Sequence, residues 1–176
     1  MAIDRMLPRF DVREYHSTTV RAGPERAYAA IRTFDLTKSW LSMLLFSIRT
    51  ARRARVSRLR LDDIVGGYFE PIAEDPGREI VLGTAGRFWR VFGGGVHVGA
   101  SEFATYADPG TAKAAMNFRV DPLPGGRTRV STETRVLCAD AAARRIFRVY
   151  WALIAIGSAA IRLEMLRLIK REAERV

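Results

Sequence analysis

The strongest structural signal in the chain lies in residues 140–174, whose sequence is DAAARRIFRVYWALIAIGSAAIRLEMLRLIKREAE. No proline interrupts this stretch, and Asp140 is a residue type that favours a helix N-cap. Apolar residues recur at the three- and four-residue spacing of one helix face: Ile146, Phe147, Tyr150, Trp151, Ile154, Ile161, Met165, Leu168 and Ile169. Much of the remainder is basic: Arg144, Arg145, Arg148, Arg162, Arg167 and Arg171. The pattern predicts one long amphipathic helix whose apolar stripe faces a core.

The segment before this helix predicts a β-hairpin. Residues 112–121 and 128–138 have strand composition, and the PLPGG sequence at 122–126 is a turn signal. By the two-residue period of a strand, Met116, Phe118 and Val120 share one face, and a second set shares another: Val130, Thr132, Thr134 and Val136. Opposite them lie Asn117, Arg119, Glu133 and Arg135, which predicts a sheet with one side in contact with water.

The rest of the chain predicts further strands and two helices. Residues 11–20 suit a strand, and Gly23-Pro24 then starts a short helix, since proline fits the first helical turn. A second helix is predicted from Asp35 or Thr37 through the apolar residues 40–48. Strands are predicted at 68–73, 79–82 and 87–92, with a turn at Asp75-Pro76-Gly77. The expected fold class is α+β.

Length and composition suit a single domain covering residues 1–176. The chain is 48% hydrophobic and 27% charged, as in ordinary globular proteins. Residues 150–161 form the longest uncharged apolar run, which is too short to span a bilayer. The first residues also lack the pattern of a secretory signal. A cytoplasmic location is therefore expected. Cys138 is the only cysteine, which excludes an intrachain disulfide and predicts an inert buried thiol.

The charge of the chain has two interpretations. The formal net charge is +10, and arginine strongly outnumbers lysine among the 29 basic residues. This bias is typical of a GC-rich genome, but it also suits an acidic partner such as anionic lipid or nucleic acid. An arginine cluster at 49–60 follows the apolar residues 40–48, as in a helix that contacts an anionic membrane surface. The candidate membrane-surface residues are Arg52, Arg53, Arg55 and Arg58; a solvated basic face is the alternative, and no nucleic-acid-binding motif accompanies the charge.

The order of a strand, two helices, antiparallel strands and one long helix is that of helix-grip proteins. Over residues 11–174 the chain resembles the START/Bet v 1-like (SRPBCC) superfamily, which includes polyketide cyclases and lipid-transfer proteins, and it is similar to a bacterial subgroup without assigned activity. The resemblance rests on GPERAY at 23–28, on NFRV at 117–120 with STETRV at 131–136, and on the closing helix. It implies a helix-grip fold, in which a curved antiparallel sheet wraps around a long C-terminal helix.

A sheet that grips one helix does not easily fill its concave side, so several large side chains are expected to line an internal pocket. The candidate ligand-binding residues are Trp40, Tyr68, Trp89, Tyr106, Met116, Phe118, Tyr150 and Trp151. Glu14 and His16 share a strand face with Val12 and Val20. They are weak catalytic candidates, because an inward orientation would place a carboxylate beside an imidazole; a solvated edge strand is the favoured interpretation.

No cofactor or metal site is predicted. The chain has two histidines, the glycines at 93–95 lack the P-loop ending, and no EF-hand spacing occurs. The expected function is therefore binding of a small hydrophobic ligand, such as a lipid, a polyketide or an aromatic compound. One alternative is a cyclase or dehydratase acting on a polyketide-like substrate in the same cavity. A second is a structural partner-binding domain with a filled core. The sequence does not predict the oligomeric state.

Overall fold

The computed structural model of the chain describes residues 1–39, 61, 69–90, 94–96 and 98–175. The helices are α1 (Ala2–Met6), α2 (Pro24–Thr33), α3 (Ala100–Thr105) and α4 (Ala141–Ala173). The strands are β1 (Val12–Val20), β2 (Glu70–Asp75), β3 (Glu79–Gly86), β4 (Gly95–Val96), β5 (Ala112–Leu123) and β6 (Arg127–Cys138). The predicted second helix is described only as far as a 3₁₀ turn at Leu36–Lys38, where the Asp35 carboxylate accepts the Thr37 N–H at 3.0 Å. The remainder of that helix lies outside the described residues.

The strands form one curved antiparallel sheet in the order β1-β6-β5-β3-β2, with β4 paired to β3. The predicted hairpin is confirmed, and Gly125 and Gly126 form its turn at φ of 75° and 66°, angles that favour glycine. Together with α4 the sheet has the α+β helix-grip architecture that the sequence predicts. In contrast, the strand predicted at 87–92 is wrong over residues 87–90, which form a turn. The chain leaves the sheet at Gly86, whose φ of 112° ends the regular strand.

The C-terminal helix is continuous from Ala141 to Ala173, as predicted, and Gly157 does not divide it. At its start the Asp140 carboxylate accepts the Ala143 N–H at 2.7 Å, which is the N-cap hydrogen bond expected for this residue. Its C-terminal half packs with α2 and the sheet in the main apolar core. One residue of the predicted stripe is misplaced. Ile146 is 54% exposed because it lies about 100° around the helix from its buried neighbour Phe147, outside the side that faces the sheet.

The sheet face predicted to meet water is buried instead. Asn117, Glu133 and Arg135 are each at most 5% exposed, because α1, α3 and the segment after α1 cover this side. Their polar groups are satisfied within the protein. The Arg135 guanidinium donates to Glu133 at 2.7 Å, to Asp4 at 2.7 Å and to the Leu7 carbonyl at 3.0 Å. The alternation of apolar and polar residues predicted a solvent-exposed surface here, but these charged residues are buried and paired with one another. Paired charges and solvated charges cannot be distinguished in the sequence.

Candidate functional site

A polar cluster lies between the inner face of the sheet and the middle of α4. The register of β1 against β6 pairs Glu14 with Thr134 and His16 with Thr132, so these four side chains share one face. From the other side, α4 contributes Ser158 and Arg162, which are four residues apart and therefore adjacent on the helix surface. Glu14 and His16 thus face inward, contrary to the solvated edge strand that the sequence favoured.

The charged groups of this cluster contact one another directly. His16 Nε2 lies 2.9 Å from Glu14 Oε1, and the Ser158 hydroxyl donates to Glu14 Oε2 at 3.0 Å. Arg162 Nε lies 3.5 Å from the same Oε2 atom. The side chains of Glu14, His16 and Arg162 are 12%, 20% and 11% exposed. The cluster is therefore a largely buried set of groups in which one carboxylate contacts an imidazole, a hydroxyl and a guanidinium.

The hydrogen-bonding capacity of the cluster is only partly used. Arg162 Nη1 approaches the Met116 sulfur at 2.9 Å and the Thr132 hydroxyl at 3.4 Å. Within the described part of the chain, Arg162 Nε and the buried Thr134 hydroxyl have no hydrogen-bond partner. Burial lowers the pKa of the Arg162 guanidinium below its ordinary value, and the nearby Glu14 carboxylate opposes that shift. A buried donor that lacks a hydrogen bond is costly even beside an opposite charge, so the arrangement favours an added acceptor.

The space around the cluster is less tightly closed than the two ends of α4. On the sheet-facing side of the helix, Phe147 and Met165 are buried, whereas the residues between them are half-buried: Tyr150, Trp151, Ile154, Ala155, Ser158, Ile161 and Arg162. The inward-facing residues of β1 are half-buried as well: Val12, Glu14, His16 and Thr18. The middle of α4 and the inward side of β1 are therefore only partly covered, and we call this partly covered region beside the polar cluster the gap.

Three of the predicted ligand-binding residues lie in one aromatic cluster next to this gap. Trp89, Tyr150 and Trp151 surround the buried ring of Phe147, at centroid distances of 6.1, 5.8 and 5.9 Å. Phe88 completes the group at 5.9 Å from Phe147. Tyr150 and Trp151 come from α4, while Trp89 comes from the turn after β3, which is how residues far apart in sequence come together.

The other predicted ligand-binding residues have different surroundings. Met116 contacts Arg162 and so belongs to the polar cluster, whereas Phe118 is fully buried and packs on Phe34 at 5.9 Å between ring centroids. Tyr106 packs against the apolar cluster on the opposite face of the sheet, because α3 carries it there. It is therefore separated from the gap beside α4. Trp40 and Tyr68 lie outside the described residues, as do Arg52, Arg53, Arg55 and Arg58, and their roles stay predictions.

Two surface clefts among the described residues are lined by side chains other than those of the polar cluster. One, of about 500 Å³, runs between β1 and the C-terminal half of α4 and is lined by Ser17, Thr18, Ala160, Leu163, Glu164, Leu166, Arg167 and Lys170. The second, of about 350 Å³, lies beside α3 and includes Lys113 and Cys138 in its lining. Burial raises the pKa of Cys138 to about 11, which disfavours the reactive thiolate. Lys113 donates to the carbonyls of Phe103 and Ala104 at 2.9 and 2.8 Å, so it caps the C-terminal end of α3.

Sequence reasoning missed Ser158 and Arg162. A usable signal was present, because residues 158, 162, 165 and 169 are separated by four, three and four positions and so continue the apolar stripe. A serine and an arginine inside such a stripe indicate a polar patch within the core. Among the described residues, no group of three or more His, Cys, Asp or Glu side chains is arranged to hold a metal ion.

The chain is similar to several solved structures, of which three are described here. Protein MLL2253 from Mesorhizobium loti matches with a TM-score of 0.42 and 13% identity, covering 91% of this chain and 98% of its own. Hypothetical protein jhp0584 from Helicobacter pylori gives 0.39 and 10%, covering 89% and 86%, and CalU16 from Micromonospora echinospora gives 0.33 and 12%, covering 92% and 83%. No family model and no curated protein matches the chain. No helix among the described residues is long and apolar enough to cross a membrane.

Proposed function

We propose that the protein binds a small, largely apolar ligand with one hydrogen-bond acceptor in the gap between β1 and the middle of α4. The observation that carries this proposal is Arg162, a largely buried guanidinium whose Nε lacks a hydrogen-bond partner among the described residues. A side chain of this kind, placed among apolar residues beside an accessible gap, is typical of the few polar groups that orient a ligand.

The charge balance of the cluster favours an uncharged acceptor. Glu14 already lies 3.5 Å from Arg162 and offsets its positive charge, so an added carboxylate would meet the repulsion of Glu14. A carbonyl or hydroxyl oxygen avoids that repulsion and accepts from the unused donors. The apolar part of the ligand would extend along α4 toward Trp151, which is about 16 Å from Arg162 at the rise of a helix. That length suits a polyketide-like or fused aromatic molecule.

The proposal is tested with two ligands of nearly identical shape. 2-Acetylnaphthalene carries a carbonyl, and 2-ethylnaphthalene carries a methylene in its place. Titrations followed by tryptophan fluorescence, with thermal shift as a second readout, should show saturable binding of both compounds. The ketone should bind more tightly, since a hydrogen bond to a charged donor contributes about 1.5–3 kcal/mol.

The matched variants are Arg162→Met and Arg129→Met. Methionine keeps the apolar stem of Arg162 but removes its donors, so the preference for the ketone should be lost while binding of 2-ethylnaphthalene persists. Arg129 is exposed on β6, and its replacement should leave both affinities unchanged. If neither compound binds the native protein, or if Arg162→Met retains the preference for the ketone, the proposed ligand site is wrong and a structural domain with a filled core becomes the better interpretation.

A second candidate function is favoured by the contact between His16 and Glu14. A proton on His16 Nε2 donates to Glu14 and leaves Nδ1 with a lone pair, which is the arrangement of a carboxylate-oriented general base. Such a base removes a proton from the carbon next to a carbonyl, and Arg162 would stabilise the enolate oxygen that forms. This is the elementary step of cyclase- and dehydratase-type reactions.

Enolisation has a direct test. In D₂O the methyl protons of 2-acetylnaphthalene should exchange for deuterium faster with native protein than in buffer, because the abstracted proton is replaced from solvent; NMR measures the rate. His16→Gln should reduce the exchange to the buffer rate while retaining ligand binding. Binding of the ketone without enhanced exchange would reject the enzymatic function and leave the binding function intact.

A further inference from the structure

The side of α4 that faces away from the sheet carries an exposed apolar surface. Val149, Leu153, Ile156 and Leu163 are 66%, 80%, 86% and 54% exposed, and Ile146 adds to one edge. Their spacing of four, three and seven residues places them on one line along the helix. From Val149 to Leu163 this surface extends for about 21 Å. We call these five residues the outer apolar face.

Basic residues stand at both ends of the outer apolar face. Arg145 and Arg148 lie on either side of its first residue, Ile146, and Arg167 and Arg171 follow its last residue, Leu163; all four are exposed. No Asp or Glu occurs between residues 141 and 163. In the part of the chain that the structure describes, Arg145, Arg148 and Arg171 form no ion pair, so their charges are available to a partner. The order along the helix is therefore basic, apolar, basic.

We infer that the outer apolar face of α4 docks on an anionic membrane surface. A helix with an exposed apolar line and arginines at its ends lies in the interface of a bilayer, with the apolar side chains between the acyl chains and the guanidinium groups at the phosphates. The net charge of +10 adds a long-range attraction to anionic lipid. This surface lies on the opposite side of α4 from the proposed ligand site, and its docking does not depend on ligand binding.

A second copy of the chain is a poorer occupant of this face. Both ends of the face are basic, so parallel and antiparallel pairing of two α4 helices each bring arginines against arginines. Glu164 is the one acid in this region, and it already pairs with Arg167 of the same chain at 3.3 Å. Like charges at both ends of a seam disfavour association, whereas anionic lipid complements them.

The test is co-sedimentation of the full chain with vesicles of phosphatidylcholine alone or of phosphatidylcholine mixed with phosphatidylglycerol. The native protein should bind the anionic vesicles at least about tenfold more tightly than the neutral ones. The double variant Leu153→Glu with Ile156→Glu should lose most of this binding, because two carboxylates would enter the apolar layer. Both positions are exposed, so the fold should be retained, and circular dichroism checks this.

The matched control is Thr19→Glu with Val96→Glu, which makes the same change in net charge at exposed residues elsewhere: Val96 is 49% exposed, and Thr19 is exposed and lies opposite Arg129 in the sheet. It should retain most of the binding. Equal binding by the two double variants would overturn the inference, because attraction to anionic lipid would then come from another part of the chain. A dimer in analytical ultracentrifugation without vesicles, abolished by the α4 variant, would also overturn it and identify the face as a contact between copies.

Discussion

Arg135 and Arg162 are both buried arginines, yet they are balanced in different ways. Arg135 donates to a carboxylate on each of two segments and to a backbone carbonyl, so its charge and its donors are satisfied. Arg162 has one carboxylate at 3.5 Å and weak neutral acceptors. The first is explained by structure alone, because it joins the sheet to the N-terminal segment. Arg162 retains donors without a strong hydrogen bond, which is why we propose that it recognises a ligand.

At the residue scale, Glu133→Ala should lower the free energy of unfolding by about 3–5 kcal/mol, because the buried Arg135 loses one of its two carboxylate partners and Arg13 loses its carboxylate. Glu133 is 2% exposed and accepts from Arg13 and Arg135, each at 2.7 Å. Urea denaturation at neutral pH measures the change. As a control, Glu172→Ala removes a carboxylate that pairs with Arg175 at the surface, and stability should hardly change. Similar losses in both variants would contradict a structural role for the buried pair.

At the element scale, α4 presents three surfaces with different surroundings. Its two ends pack on the sheet, its middle faces the gap with Ser158 and Arg162, and its outer side carries the exposed apolar face. A helix of 33 residues can carry all three surfaces. The helical period points side chains in different directions around the axis, and the length of the helix separates its middle from its ends. The amphipathic pattern alone does not separate them, since apolar residues occur on the inner and the outer side.

Two adjacent residues of α4 test this division. Phe147 is 1% exposed and lies at the centre of the aromatic cluster, so Phe147→Ala should destabilise the protein by about 3–5 kcal/mol. Ile146 is 54% exposed, and Ile146→Ala should change stability by no more than about 0.5 kcal/mol. Chemical denaturation of both variants measures the difference. A large loss for Ile146→Ala would mean that the outer side of the helix is covered in solution.

At the scale of the whole molecule, the sheet is a central layer with α4 on one face and the N-terminal segment on the other. Ala2 and Ile3 donate backbone N–H groups to the buried Glu79 at 2.8 and 3.2 Å, and Asn117 donates to it at 2.7 Å. Asp4 reaches Arg135 from the same segment. The N-terminal residues are therefore held by charges inside the sheet face rather than by apolar contacts alone.

This network predicts loss of stability in acid. Burial alone raises the pKa of Glu133, but hydrogen bonds from Arg13 and Arg135 outweigh it and hold the pKa below its ordinary value of 4.5. The hydrogen bond from Arg135 likewise lowers the pKa of Asp4 below 3.8. Groups with a lowered pKa in the folded state stabilise it fully above the ordinary value and lose that effect as the pH falls through the lowered one. The free energy of unfolding should therefore decline as the pH falls below 4.5.

Urea denaturation at a series of pH values between neutral and acid measures this decline. In Glu133→Gln the decline should be shallower, because one of the titrating carboxylates is gone, although the variant starts from a lower stability at neutral pH. An unchanged slope in Glu133→Gln would show that other carboxylates dominate the acid response.

The sequence alone determined the fold class, the hairpin and the long helix, because these depend on periods of two and of three to four residues that are local and repeated. It also brought Glu14 and His16 onto one strand face, since alternation fixes relative orientation within a strand. It did not determine which way that face points, because an edge strand can turn its polar side inward when another element supplies partners.

Only the tertiary structure brought Ser158 and Arg162, 144 residues or more away along the chain, to Glu14. In the same way, it decided that the polar side of the hairpin is a buried, paired layer and that part of α4 leaves apolar residues exposed. Burial and charge pairing are properties of the packed elements together, whereas periodicity is a property of each element by itself.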